Sequence, residues 1–346
     1  RVLHRSTLYV TVSLAQLLFT VAANLLLLAQ FGAGVWAMFI GGLAVRLGFL
    51  CPLLVVVFRR VGVHFDWGVA REMVSYSLPL VPSRLFSVLA SQADRWFIAT
   101  FVALAEAGLF GLAQRFALVM HLLVYTPFTS VFETRRYELA RRGDGPLRLA
   151  QIFDLHVAAS AFVGLGVAAF AGDVIGLMTA SSFHSAASYV GLAVVGNLLF
   201  GLLYHLEFGL LFVGNTRRLF VANSIRSVLQ FCLAATTVPK YGVMAALWSE
   251  IVALLLGGCV LWRESQKVYP IPFNWPRVAV VMACGVSSYY LTTAASGLPA
   301  VWGIATKLLV VGVAFPASLV LTRAVPFEEL AAIPVLRDLF ARRRTA

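Results

Sequence analysis

Apolar residues run through this chain in blocks of about twenty or more, separated by short polar breaks. Blocks of that length are what an α-helix needs to cross the hydrocarbon core of a bilayer. Ten such spans are predicted, at about 8–30, 35–58, 77–102, 105–131, 152–179, 184–213, 219–238, 242–262, 276–295 and 300–322. The expected fold class is therefore an all-α polytopic membrane protein with about ten transmembrane helices. Several connections are tight: FGAG at 31–34, the turn around Ala103–Glu106, PKYG at 239–242 and SGLPA at 296–300. Short turns of this kind make antiparallel helical hairpins. The longer connections, 59–76 and 132–150, are expected to carry amphipathic stretches along the membrane surface, as is the tail from 323 onwards.

The polar breaks carry an asymmetric charge. With the N-terminus placed inside, the inside segments hold 20 Lys and Arg residues and the outside turns hold only Lys240. That bias is a positive-inside signal and puts both ends of the chain on the cytoplasmic side. It also accounts for most of the net charge of +12. A nucleic-acid partner is thereby disfavoured, and contact with anionic membrane lipid suffices for the basic loops. The four cysteines sit in apolar runs without a CxxC pair or metal-ligand spacing, which reads as packing. The chain opens on Arg1 and runs into a full-length span, with no signal-peptide pattern; it reads as a sequence that begins mid-protein.

The informative charges are the few inside the spans: Arg46, Arg84, Asp94, Arg95, Arg115, Arg226, Glu250 and Lys307. A charge at membrane depth needs a partner, a hydrated cavity or a ligand. At ~100° per residue, Arg84, Ser91 and Arg95 share one face of the third span, with Ser87 and Asp94 beside them. Gln114, His121 and Tyr125 form a similar stripe on the fourth span, next to Arg115. Asp94 and Arg115 lie at matching distances from the turn, so an Asp94–Arg115 ion pair is one expectation. It leaves Arg84 and Arg95 without an acidic partner, and a cationic cavity for a phosphate-bearing ligand is the other. Arg46 is read as cavity lining or a local ion pair. Arg226 shares a face with Asn223, Ser227 and Gln230, and a structural pair with Glu250 across the PKYG turn is expected. Lys307 is expected to snorkel, His156, His205 and Glu207 to lie at the interface, and Glu106 to be solvated.

These residues also carry a family likeness. Ser77-Leu78-Pro79-Leu80-Val81-Pro82-Ser83, Ala93-Asp94-Arg95-Trp96-Phe97-Ile98 and Ala107-Gly108-Leu109-Phe110-Gly111-Leu112-Ala113 resemble the polysaccharide-unit flippases of the multidrug/oligosaccharidyl-lipid/polysaccharide exporter superfamily. Arg5-Ser6 with Tyr9, Gly214-Asn215-Thr216-Arg217 and Pro239-Lys240-Tyr241-Gly242-Val243 with Ala245-Ala246 are similar to further parts of that family. The resemblance implies that the ten spans are helices five to fourteen of a two-lobe exporter fold. Residues 1–58 would be a two-helix remnant of the N-terminal lobe, 59–76 a cytoplasmic inter-lobe linker and 77–262 the C-terminal six-helix lobe. Two additional helices would occupy 263–322, and 323–346 would be a basic, amphipathic cytoplasmic tail.

The implied function is translocation, in the bacterial inner membrane, of a polyprenyl pyrophosphate-linked glycan by alternating access. Arg84, Arg95 and Arg115, with Ser87 and Ser91, would line the cavity. Asp94, Arg46, Arg226 and Glu250 would serve coupling or ion pairing. No cofactor is expected beyond an ion gradient, and a polysaccharide polymerase and export machinery are the implied protein partners. A multidrug exporter on the same fold is the alternative, which the basic excess disfavours. A glycan-polymerising enzyme is a further one, but the outside turns are short and hold no acidic cluster.

Overall fold

The computed structural model describes residues 6–31, 34–62, 65–78, 80–294 and 299–324. The basic tail from 325, the N-terminal Arg5 motif and the SGLPA turn lie wholly or partly outside the described residues. The chain divides into two compact units, Arg1–Met73 and Val74–Ala346.

The first unit is a helical hairpin, α1 (Ser6–Phe31) and α2 (Gly34–Val61). The two helices approach closely where Gly41 meets Asn24: a Cβ at position 41 would lie 2.4 Å from Asn24 Oδ1. Small residues at crossings are how helices pack where lipid offers no hydrophobic drive. Phe19 and Phe49 meet edge to face at 5.9 Å. The unit boundary falls within α3 (Trp67–Ser77), the short helix of the 59–76 connection, whose Trp67, Val69 and Met73 are exposed.

The second unit begins with α4 (Leu80–Phe101), joined by two residues to α5 (Leu104–Met120). The helix of α5 does not stop at Met120. It passes through one wide turn, His121–Tyr125, into α6 (Thr126–Ala140). The cause is Pro127, which has no N–H to donate; the backbone accommodates it with a five-residue bond from the Thr126 amide to His121 O. Then come α7 (Gly145–Met178), α8 (Ala187–Leu206), the short α9 (Phe208–Phe212) and α10 (Thr216–Gln266). The last helices are α11 (Trp275–Ala294), α12 (Ala300–Leu309) and α13 (Phe315–Leu321). A second wide turn, Val310–Ala314, links α12 to α13, again just ahead of a proline, Pro316.

The 51 residues of α10 are two limbs, because Gly242 turns the chain with φ 67° and ψ −150°. Only glycine enters that region without strain, and Pro239 stands three residues before it. The limbs run antiparallel: Thr237 meets Ser249 at 3.1 Å near the turn, Arg226 lies over Gly257, and Arg218 meets Glu264 at 3.5 Å at the far end. Among the described residues, seven helical stretches are long and apolar enough to cross a membrane, and the one from Thr216 to Gln266 counts twice. With α4 and α11, at 22 and 20 residues, the described helices offer the ten crossings that the apolar blocks predict.

The main core of the second unit is formed by α4, α5, α7, α8, α10, α11 and α13, around Phe153, Ile98, Ile175, Val190, Val238 and Phe315. Alanines fill much of it, including Ala113, Ala117, Ala193 and Ala246, which keeps the helices close. Two ion pairs fasten the last helices to α7: Arg277 Nη1 to Asp154 Oδ2 at 3.1 Å, and Lys307 Nζ to Asp173 Oδ2 at 2.6 Å. Lys307 thus does not snorkel but is buried against Asp173.

The 132–150 segment also differs from expectation. It is helical extension, not a surface-lying stretch, because Phe132, Ala140, Leu149 and Ala150 pack on Tyr204 and Phe208. His156 and His205, expected at the interface, are buried for the same reason. Phe128 of α6 covers both, with ring centroids at 4.4 and 5.4 Å. Glu106 is tied rather than solvated, accepting from Tyr189 Oη at 3.3 Å.

Candidate functional site

The second unit contains a buried polar seam at the junction of α4, α5, α8 and both limbs of α10. Asp94 of α4 is 2% exposed and accepts a hydrogen bond from Gln230 Nε2 at 2.9 Å. Its Oδ1 has no hydrogen-bond partner among the described residues. Glu250 of the second limb accepts from Gln114 Nε2 of α5 at 3.0 Å. Gln114 Oε1 in turn accepts from Asn197 Nδ2 of α8 at 3.4 Å. Asn197 also donates to Ala193 O at 3.1 Å, one turn back on its own helix.

Arg226 sits one turn before Gln230 on the first limb and is 6% exposed. It is near enough to Glu250 for their opposite charges to interact, and Asp94 and Glu250 in turn repel one another. Glycines make the room: Glu250 lies against Gly196, and the stem of Arg226 crosses Gly257. Two carboxyl groups thus lie close together, with one guanidinium acting on Glu250, in a setting where an unmatched charge is expensive. Such a cluster is sensitive to anything that changes its charge, whether a proton or a cation.

The arrangement corrects one expectation. Asp94 pairs with Gln230, and Arg115 is exposed on α5 with no ion pair among the described residues. Successive helical positions diverge by about 100°, so Asp94 turns inward to α10 while Arg95 turns out. Arg95 is likewise exposed and makes no ion pair among the described residues. Arg46, in the first unit, is exposed and equally without one. Arg84, Ser87 and Ser91 fall within α4, but their side chains lie outside the described residues. The helix is unbroken from Leu80 to Phe101, which keeps the register on which their shared face was predicted.

The structure thus brings together Asp94, Arg226 and Glu250 and leaves Arg95 and Arg115 outside that group. Gln114 and Gln230 were legible as members of polar stripes. Asn197 was missed, although it is the one amide side chain in the sixth span. Also missed was Arg136, which is 4% exposed and lies over the Tyr204 ring at 4.1 Å, with Phe208 and Tyr137 at 5.1 and 5.4 Å. Its Nη1 donates to Tyr204 O at 3.4 Å, a carbonyl in the last turn of α8 that the helix leaves unsatisfied. Among the described residues, no group of three or more His, Cys, Asp or Glu side chains could hold a metal ion.

Comparison with known proteins bears on this architecture directly. Residues 2–188, more than half of the chain, match the family described as polysaccharide biosynthesis protein. No curated protein sequence matches. Among solved structures, the lipid II flippase MurJ in its inward closed conformation superposes with a TM-score of 0.66 at 13% identity. The match covers 87% of this chain and 66% of that one, so the chain spans just under two thirds of that flippase's length. At that identity the likeness is one of fold, and it agrees with the resemblance carried by the α4–α5 motifs. The chain is a multi-pass membrane protein that belongs to the polysaccharide biosynthesis protein family and is built on the exporter fold seen in a lipid II flippase.

Proposed function

We propose that the protein translocates a lipid pyrophosphate-linked oligosaccharide from the cytoplasmic to the outer leaflet of the bacterial inner membrane. The carrying observation is the pairing of a polysaccharide-biosynthesis family with the fold of a lipid-carrier flippase. The function is transport rather than covalent chemistry. Arg95 and Arg115, exposed on adjacent helices and without ion-pair partners among the described residues, support a cationic path for the diphosphate. The unbroken register of α4 supports assigning Arg84, Ser87 and Ser91 to the same path.

The seam has a different part in this reading. Asp94 and Glu250, with Arg226 beside Glu250, are the coupling groups, and an ion gradient is the motive force. The 20-to-1 distribution of basic residues supports cytoplasmic termini. A polysaccharide polymerase and export machinery are the protein partners that this reading implies. A multidrug exporter on the same fold remains the second reading, and the exposed arginines speak against it.

The test is complementation of a strain lacking its polysaccharide flippase. Arg95→Ala and Arg115→Ala, alone and together, should abolish surface polysaccharide while membrane levels of the protein stay at wild type, since neither side chain is buried. Wild-type polysaccharide in the double variant sinks the cationic path.

A further inference from the structure

Where the two limbs of α10 meet at their polar end, they leave a groove of about 550 Å³. Its mouth holds Arg217, Arg218 and Glu264; its walls are Val221, Ile225 and Val260. The arrangement is head-and-tail. Arg217 and Arg218 stand in the first turn of one limb and Glu264 in the last turn of the other. Val221 and Ile225 lie one and two turns further along, 49% and 46% exposed, and face outwards along the span.

The charges at the mouth do not balance. Glu264 is shared between Arg218, at 3.5 Å, and Lys267. Arg217 is exposed and has neither an ion pair nor a hydrogen bond among the described residues. The helix end itself is not free to bind: Asn215 Oδ1 already accepts from the Arg218 amide. What remains is a net positive mouth, with Arg217 unpaired and Arg218 sharing its one carboxylate with Lys267, above an apolar channel. An acidic peptide or a free phosphate would satisfy the mouth and leave the channel empty. A lipid with an anionic head satisfies both, with the head on the arginines and an acyl chain along Val221, Ile225 and Val260.

We propose that this groove is a binding site for one anionic glycerophospholipid, distinct from the path of the transported substrate. It bridges the two limbs, which further along carry Arg226, Gln230 and Glu250.

Native mass spectrometry of the whole chain, released from detergent, tests it with dioleoyl phosphatidylglycerol, dioleoyl phosphatidylethanolamine and a polyprenyl diphosphate as probes. Wild type should retain one phosphatidylglycerol and no phosphatidylethanolamine. Arg217→Ala with Arg218→Ala should weaken retention roughly thirtyfold, while Arg141→Ala with Arg142→Ala, a basic pair not on the groove, should leave it unchanged. Ile225→Trp, which fills the channel and keeps the charges, should also abolish it. Arg217→Ala alone removes no contact of the fold and guards against a misfolded double variant; it too should weaken retention. Equal loss in both arginine pairs, equal retention of the zwitterionic lipid, or full retention by Ile225→Trp each overturns the site. Displacement of phosphatidylglycerol by an equal concentration of the polyprenyl diphosphate overturns it as well, assigning the groove to the substrate.

Discussion

Gly257 offers the sharpest test of the seam's packing. A methyl group there would lie 2.5 Å from Arg226 Cβ, 2.6 Å from its Cγ and 3.2 Å from its Cα. Carbon atoms rest at about 3.5–4.0 Å, so the limbs of α10 would have to part by about 1 Å. Rotating Arg226 does not help, because the positions of Cβ and Cα are set by the backbone. Overpacking of this kind costs about 1–3 kcal/mol.

The neighbouring Gly258 is the control. Its added Cβ would meet only the tips of Leu203, at 3.3 Å, and Leu206, at 3.8 Å, which can swing away. Both substitutions gain the same helix propensity, about 1 kcal/mol at most, so their difference isolates the clash. In a thermal challenge of the detergent-solubilised protein, followed by size-exclusion chromatography, Gly257→Ala should lose its monodisperse peak about 2–6 °C below Gly258→Ala. Parity between the two would mean that Arg226 does not cross Gly257, and the seam as described would be wrong.

Two further perturbations bear on the ends of the fold. At the Lys307–Asp173 pair the side chains are 11% and 42% exposed, so the partners are unequal. Asp173→Asn strands a buried ammonium and should lower the same thermal midpoint more than Lys307→Met, which leaves a carboxylate that water can reach; the reverse order would contradict the burial of Lys307. Arg136→Lys keeps the charge but loses the flat stacking on Tyr204, and should cost about 0.5–2 kcal/mol in that assay. A fully stable lysine variant would remove the ring contact as a source of stability.

The helices were legible because each apolar block is long enough to stand alone as a span, and the PKYG turn because Pro239 and Gly242 leave the backbone little choice. Faces were legible too. Spacing placed Gln230 and Arg226 together, and the structure keeps them together on one limb. Neighbours were not. Matching depth across the α4–α5 turn pointed Asp94 at Arg115, yet its partner Gln230 lies 136 residues further along the chain. Periodicity tells which side of a helix is polar and says nothing about which helix that side meets. His156 and His205 failed for a related reason. Position near a span end suggested water, but the helical extension carrying Phe128 and Phe132 covers that end.

The wide turn at His121–Tyr125 has a consequence of phase. It spends one residue more than a regular turn, so everything after it is rotated about 100° relative to an unbroken helix. Gln114 lies before it and Arg136 after it, on one rod that runs from Leu104 to Ala140. Gln114 holds Glu250 and Arg136 sits on Tyr204 only because that surplus residue sets the angle between them. The turn is thus a vernier on the helix: shed or shifted by one position, it would leave one contact aligned and swing the other out of reach.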